Sequence, residues 1–140
     1  MRKYEDSLPL KLLKAREAAM SFFRPMLQEY SITEQQWRVM RVLNDVEELE
    51  TKKLAEACCI LSPSLTGIIQ RLEQQGYISR RKSSEDHRRI LVRATPKATQ
   101  LLDTMAPTVE ESYARLTQGL SPEKMEQLKD LLDEVSLLNN

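Results

Sequence analysis

The chain has 140 residues, 41% of them hydrophobic, with no net charge and three glycines, which suits one folded unit with a real core and excludes a disordered chain. No apolar run approaches the roughly 20 residues that span a bilayer, and acids in the first stretch argue against a secretory signal, so a cytoplasmic protein is expected. One histidine and two adjacent cysteines supply no metal-ligand spacing and no catalytic triad, and no glycine loop could cradle a phosphate; no metal, no cofactor and no enzyme activity are expected.

In chain order, Ser7 caps a first helix with Pro9 in its opening turn. Leu8, Leu12, Ala15, Ala19, Phe22 and Met26 recur at alternating steps of four and three, a seam that wants a partner helix. Pro25 is expected to bend or end that helix near Arg24. Thr33 and Gln36 form a capping box for a second helix over 34–44, with Trp37, Met40 and Leu43 on one face. An acidic loop over 46–50 leads to Thr51, the expected cap of a short helix through about Cys58. Ser62 and Pro63 read as cap and first position of the next helix, and Gly76 closes it in a left-handed conformation. Short strands are expected over 77–82 and 89–94. Thr95 and Pro96 open a long helix toward Thr117, with Leu101, Leu102, Met105, Val109, Tyr113 and Leu116 as its apolar set. Ser121 and Pro122 open the last helix, striped by Met125, Leu128, Leu131, Leu132, Val135 and Leu138.

The segment over 62–92 is the most informative. Its helix turns Leu65, Ile68, Ile69 and Leu72 inward and leaves Ser62, Ser64, Thr66, Gln70 and Arg71 outward, with Gly67 allowing close approach. The following ribbon carries Arg80, Arg81, Lys82, His87, Arg88 and Arg89; over 77–93 the charge is +4, leaving −4 on the rest. A small-polar helix beside a basic ribbon suits a major groove and the minor groove next to it. Gln70 can reach adenine and Arg71 guanine or phosphate, while Lys82 and Arg89 suit backbone phosphates. His87 is open between a phosphate donor and an exposed loop tip. The architecture expected is mostly α (α+β): one unit over 1–140, with a winged helix-turn-helix lobe over 34–95 and dimerisation helices from 1–32 and 96–140. A homodimer on a pseudo-palindromic double-stranded DNA site follows from the unpartnered apolar seams at both ends.

The segments TEQQWRVMRVL, PSLTGIIQRLEQQGYISR, DHRRILV and ATPKATQLL resemble, in order and spacing, the MarR family of winged-helix transcription regulators. Within that family, LLKAREAAMSFFRPMLQEYSITEQQWRVMRVL is similar to regulators of homoprotocatechuate (4-hydroxyphenylacetate) catabolism, with hydroxycinnamate regulators as near relatives. One departure is Ala98, where the family often has glycine. The resemblance implies that Asp86 orients a wing arginine and that Arg88 enters the minor groove. It also implies a repressor released by a small aromatic acid. For such an effector, Arg16 is the candidate charge anchor, Met20 and Phe23 apolar neighbours, Trp37 an aromatic wall, Ser21 a partner for a phenolic hydroxyl, and Arg41 and Arg24 weaker anchors. Arg16 reads equally as a snorkelling surface arginine, and Trp37 as core. Cys58 and Cys59 read as small buried side chains, the alternative being a redox-sensing thiol in the same fold. A nonspecific architectural DNA-binding or protein-interaction module is the remaining alternative.

Overall fold

Local capping decides where most of the helices begin. In the computed structural model, which describes residues 1–139, a single 3-10 turn (Tyr4–Asp6) precedes α1 (Leu8–Met20), and Ser7 Oγ accepts from the Leu10 N–H at 3.3 Å. After α2 (Arg24–Glu29), α3 (Glu34–Asn44) opens on the expected capping box: Gln36 N–H donates to Thr33 Oγ1 at 3.0 Å, and Thr33 N–H donates to Gln36 Oε1 at 3.1 Å. Strand β1 (Leu49–Glu50) leads into α4 (Thr51–Cys58) and α5 (Ser62–Gln74). Strands β2 (Ile78–Lys82) and β3 (Ile90–Ala94) then precede α6 (Pro96–Thr117) and α7 (Pro122–Ser136), the last capped by Ser121 Oγ.

Several expectations from sequence are corrected. Helix α1 ends at Met20, and Pro25 lies in the first turn of α2, where its missing N–H costs nothing. Phe22 and Met26 therefore do not extend an α1 seam. Thr51 and Ser62 are first helical residues rather than caps; Glu50 and Leu61 hold the cap positions, without side-chain caps. The acidic loop contains β1, whose Leu49 pairs with Val92. Cys58 is buried as expected, but Cys59 is exposed and left-handed (φ 53°), ending α4. Pro107 sits inside α6 without ending it.

The chain divides into two compact units: Met26–Pro107, and Met1–Pro25 with the chain from Thr108 on. In the first, α3 packs on α4, α5 and β3, and α5 packs on β2. The antiparallel sheet runs β1-β3-β2, with Ile78 opposite Ala94 and Lys82 opposite Ile90. Its core joins Val39, Met40 and Leu43 of α3, Leu54 and Cys58 of α4, Leu65 and Leu72 of α5, and Val92 of β3. Each such aliphatic side chain contributes roughly 1.5–3 kcal/mol by leaving water. Gly76 takes φ +82°, which lets α5 end abruptly and turn into the ribbon.

In the second unit, Phe23 is buried with its ring edge-to-face on Tyr113 at 5.0 Å. Helices α1 and α7 bury no residue, and Leu131 and Leu138 stand 58% and 74% exposed. Ser112 is fully buried, and its hydroxyl has no hydrogen-bond partner among the described residues.

Candidate nucleic-acid interface

The outward face of α5 is built by period. Leu65, Ile68, Ile69 and Leu72 are buried, so Ser62, Ser64, Thr66, Gln70 and Arg71 stand exposed around the opposite arc, as the spacing predicts. Thr66 Oγ1 donates to the Ser62 carbonyl at 3.2 Å, one turn back in its own helix. Gly67 lies near the middle of the same arc. A Cβ there would meet nothing within 4 Å, and its φ is ordinary for a helix, so nothing inside the lobe requires glycine.

The wing loop between β2 and β3 closes on itself. Ser83, buried at the loop root, accepts from the Glu85 N–H at 3.2 Å and the Asp86 N–H at 3.5 Å through Oγ. Ser83 N–H donates to the Arg89 carbonyl and Arg89 N–H to the Asp86 carbonyl, both at 2.9 Å. Asp86 Oδ1 accepts the Arg88 N–H at 3.0 Å and Arg88 Nε at 3.2 Å. These bonds from Arg88, backbone first, hold the Asp86 carboxyl below its ordinary range, so it stays charged. The Arg88 side chain is 91% exposed while its root is held in this way. Lys82, His87 and Arg89 are exposed along the same ribbon, Arg89 with Asp86 at 3.9 Å.

Ion pairs that sequence reading missed brace the ribbon. Arg80 donates to Glu73 of α5 through Nη2 (2.8 Å) and Nε (3.2 Å). Arg81 donates to Glu48 through Nη2 (2.7 Å) and Nε (2.9 Å). Both carboxyls are held below the ordinary range, chiefly by those arginine hydrogen bonds. Glu73 and Arg80 flank the Gly76 turn and could have been suspected; Glu48 and Arg81 are too far apart in sequence to pair by eye. Arg38 is a further support: Nη1 donates to the Cys58 carbonyl at 2.6 Å, closing the exposed end of α4, while Nη2 meets Glu34 at 3.0 Å. Lys97 donates to the Gln75 carbonyl and lies over the Tyr77 ring at 4.6 Å, fixing the turn around Gly76.

The candidate effector residues divide between the units. On α1 and just after it, Arg16 is exposed beside Glu17 (3.7 Å), Met20 is half-buried, Ser21 Oγ donates to the Ala18 carbonyl at 2.6 Å, and Phe23 is buried. Arg24 pairs with the same Glu17 at 2.8 Å. In the lobe, Trp37 is buried and Arg41, one turn on, lies over its ring at 4.7 Å, a stacking that leaves a cation beside an aromatic face. Burial pushes the Cys58 thiol up, away from reactive thiolate. No group of three or more potential metal ligands occurs among the described residues.

A helix-turn-helix with an exposed polar second helix, flanked by a braced basic ribbon, defines a winged-helix DNA-binding transcription regulator. The chain belongs to the MarR family, whose profile matches residues 32–90. It is 42% identical over 135 residues to the homoprotocatechuate degradative operon repressor of Escherichia coli, covering 96% of this chain and 91% of that protein. The transcriptional regulator PA4135 shares its fold with a TM-score of 0.91 at 46% identity, over 96% of this chain and 98% of that one. NadR in complex with 4-hydroxyphenylacetate superposes with a TM-score of 0.85 at 40% identity over 99% of both chains. The relatives are regulators, not enzymes. No described helix is long and apolar enough to cross a membrane.

Proposed function

We propose that the protein is a homodimeric repressor of an operon for aromatic-acid catabolism, released from its operator by a small aromatic carboxylate and acting in the cytoplasm. The observation that carries this reading is near-full-length similarity both to the homoprotocatechuate operon repressor and to NadR with its bound 4-hydroxyphenylacetate. The exposed leucines of α7 support the dimer, because an apolar stripe of this kind wants a second copy to cover it. Ser62, Ser64, Thr66, Gln70 and Arg71 are the proposed major-groove contacts. Lys82, His87 and Arg89 are proposed phosphate contacts, and Arg88, held by Asp86, enters the minor groove. Among the effector candidates, Arg16 is the proposed carboxylate anchor, with Met20 and Phe23 as apolar neighbours and Ser21 as partner for a phenolic hydroxyl. In the lobe, Trp37 is a proposed aromatic wall and Arg41 a weaker anchor. A ligand that favours the dimer with misplaced recognition helices lowers DNA affinity by its differential affinity for the two states.

The test begins with genomic fragments selected by the purified protein. These are then titrated with 4-hydroxyphenylacetate-type and hydroxycinnamate-type acids. Release by one class, lost in Arg16→Ala, is the expected result. Fragments that stay bound under every acid would sink the effector assignment while leaving the DNA assignment standing.

A further inference from the structure

Carboxylates from the body of the lobe grip the wing. Glu73 on the recognition helix takes Arg80 in a two-pronged pair, and Glu48, just before β1, takes Arg81 in another. Glu50 on β1 lies 4.0 Å from Arg89. Arg80 and Arg81 are neighbours on β2, so their side chains leave opposite faces of the ribbon, and the ribbon is held from both. Arg80 also lines a cavity of about 450 Å³ between α5 and the wing, with Lys52, Ser62 and Thr66. Its guanidinium thus stands beside the face proposed to meet DNA.

On a surface made only for affinity, a carboxylate there is a liability, since it repels phosphate. Nor does stability account for it, because exposed ion pairs of this kind contribute little. The pair does two other things. It occupies an arginine whose planar fork would take any phosphate, whatever the sequence. It also fixes the wing to the recognition helix, so that contacts in adjacent grooves are made in one register. We infer that Glu73 is a positioning residue for operator selectivity, withholding Arg80 from indiscriminate phosphate contact and locking the wing to α5, and that Glu48 acts likewise on Arg81. This rests on the proposed reading of the lobe as an operator reader.

The experiment compares wild type with Glu73→Gln, Arg80→Gln, the Glu73→Gln/Arg80→Gln double variant and Glu85→Gln. Glu85 is a wing-loop carboxylate whose side chain has no ion pair among the described residues. Affinities are measured for a duplex selected by wild type from a random library and for sheared calf-thymus DNA, from about 50 to 200 mM salt. Glu73→Gln binds calf-thymus DNA roughly three- to tenfold more tightly, with a salt slope steeper by about one per protomer, the increment of one added phosphate contact. The selected duplex gains less, so selectivity falls. The double variant loses the gain, and Glu85→Gln, which removes a charge without freeing an arginine, shows a smaller one. An unchanged selectivity ratio and slope in Glu73→Gln overturns the inference, as does a gain that survives in the double variant or is equalled by Glu85→Gln. Should wild type itself not prefer the selected duplex, the operator reading fails first, a result distinct from any behaviour of Glu73→Gln.

Discussion

The unit formed by Met26–Pro107 and the unit formed by the two ends of the chain treat apolar surface differently. The former turns most of its leucines, isoleucines and valines onto one another, Leu61 and Val46 being exposed exceptions; Val39, Met40, Leu54 and Val92 have no exposed surface at all. In the latter, α7 leaves Leu128, Leu131 and Leu132 exposed, and Leu137 and Leu138 just after it are exposed too. The lobe has the core of a self-sufficient domain, whereas the terminal helices have the surface of something that requires a partner. The difference separates reading DNA, which one lobe can do, from spacing two readers, which takes two chains.

Truncation breaks this comparison most sharply. Leu43→Ala, at a site 1% exposed, is expected to lower unfolding free energy in urea by about 2–5 kcal/mol. Leu131→Ala should leave the lobe's own stability within about 0.5 kcal/mol and instead shift the monomer–dimer equilibrium in sedimentation. Equal destabilisation by the two would erase the contrast. Next in size, Arg88→Ala should weaken binding to the selected operator roughly 10- to 100-fold, the loss of about 1–3 kcal/mol of readout, with circular dichroism and the dimer unchanged. Operator binding at wild-type strength would reject the wing assignment. Thr33→Ala removes the capping box of α3 and should cost about 1 kcal/mol in thermal or urea unfolding.

Gly67→Ala separates folding from function within one residue. Alanine has free space there and a better helix propensity, so the fold should gain about 0.5–1 kcal/mol while operator affinity falls. A variant that is stabler and binds equally well would show that the glycine has no part in close approach. The smallest effect is on acidification. Glu48, Glu73 and Asp86 have carboxyls held below the unfolded range, so their contribution is fully present above about pH 4–4.5 and fades as pH falls through their lowered folded values. Carboxyl titration by NMR should place all three below the ordinary carboxylate range.

What the sequence made legible was local. The Thr33/Gln36 box, the Ser7 and Ser121 caps, the left-handed Gly76 and the inward set of α5 each depend on residues within a turn or two of one another. So does the bond between Asp86 and Arg88. The misses have a common cause in distance or in competing propensities. Pro25 suits a first turn as well as a break, so α1 could not be ended by sequence alone. Cys59 looks like its buried neighbour until α4 is seen to finish there with a left-handed residue. The pairing of Arg81 with Glu48 depends on β1, a two-residue strand that only the sheet itself creates. Trp37 was readable as core, but the stacking of Arg41 on it was not.

The Ser83 turn has one more consequence. Between Lys82 and Ile90 the loop draws its bonds from its own residues: Ser83, Asp86 and Arg89 supply the acceptors for the amides of Ser83, Glu85, Asp86, Arg88 and Arg89. For these amide bonds the seven-residue stretch needs from its host little more than two antiparallel strand ends at ordinary spacing, although Glu50 of β1 still lies 4.0 Å from Arg89. Carried onto another two-stranded ribbon with the same register, the turn should re-form with its presented guanidinium, while the alignment of that tip with α5 would still depend on the Arg80–Glu73 pair outside it.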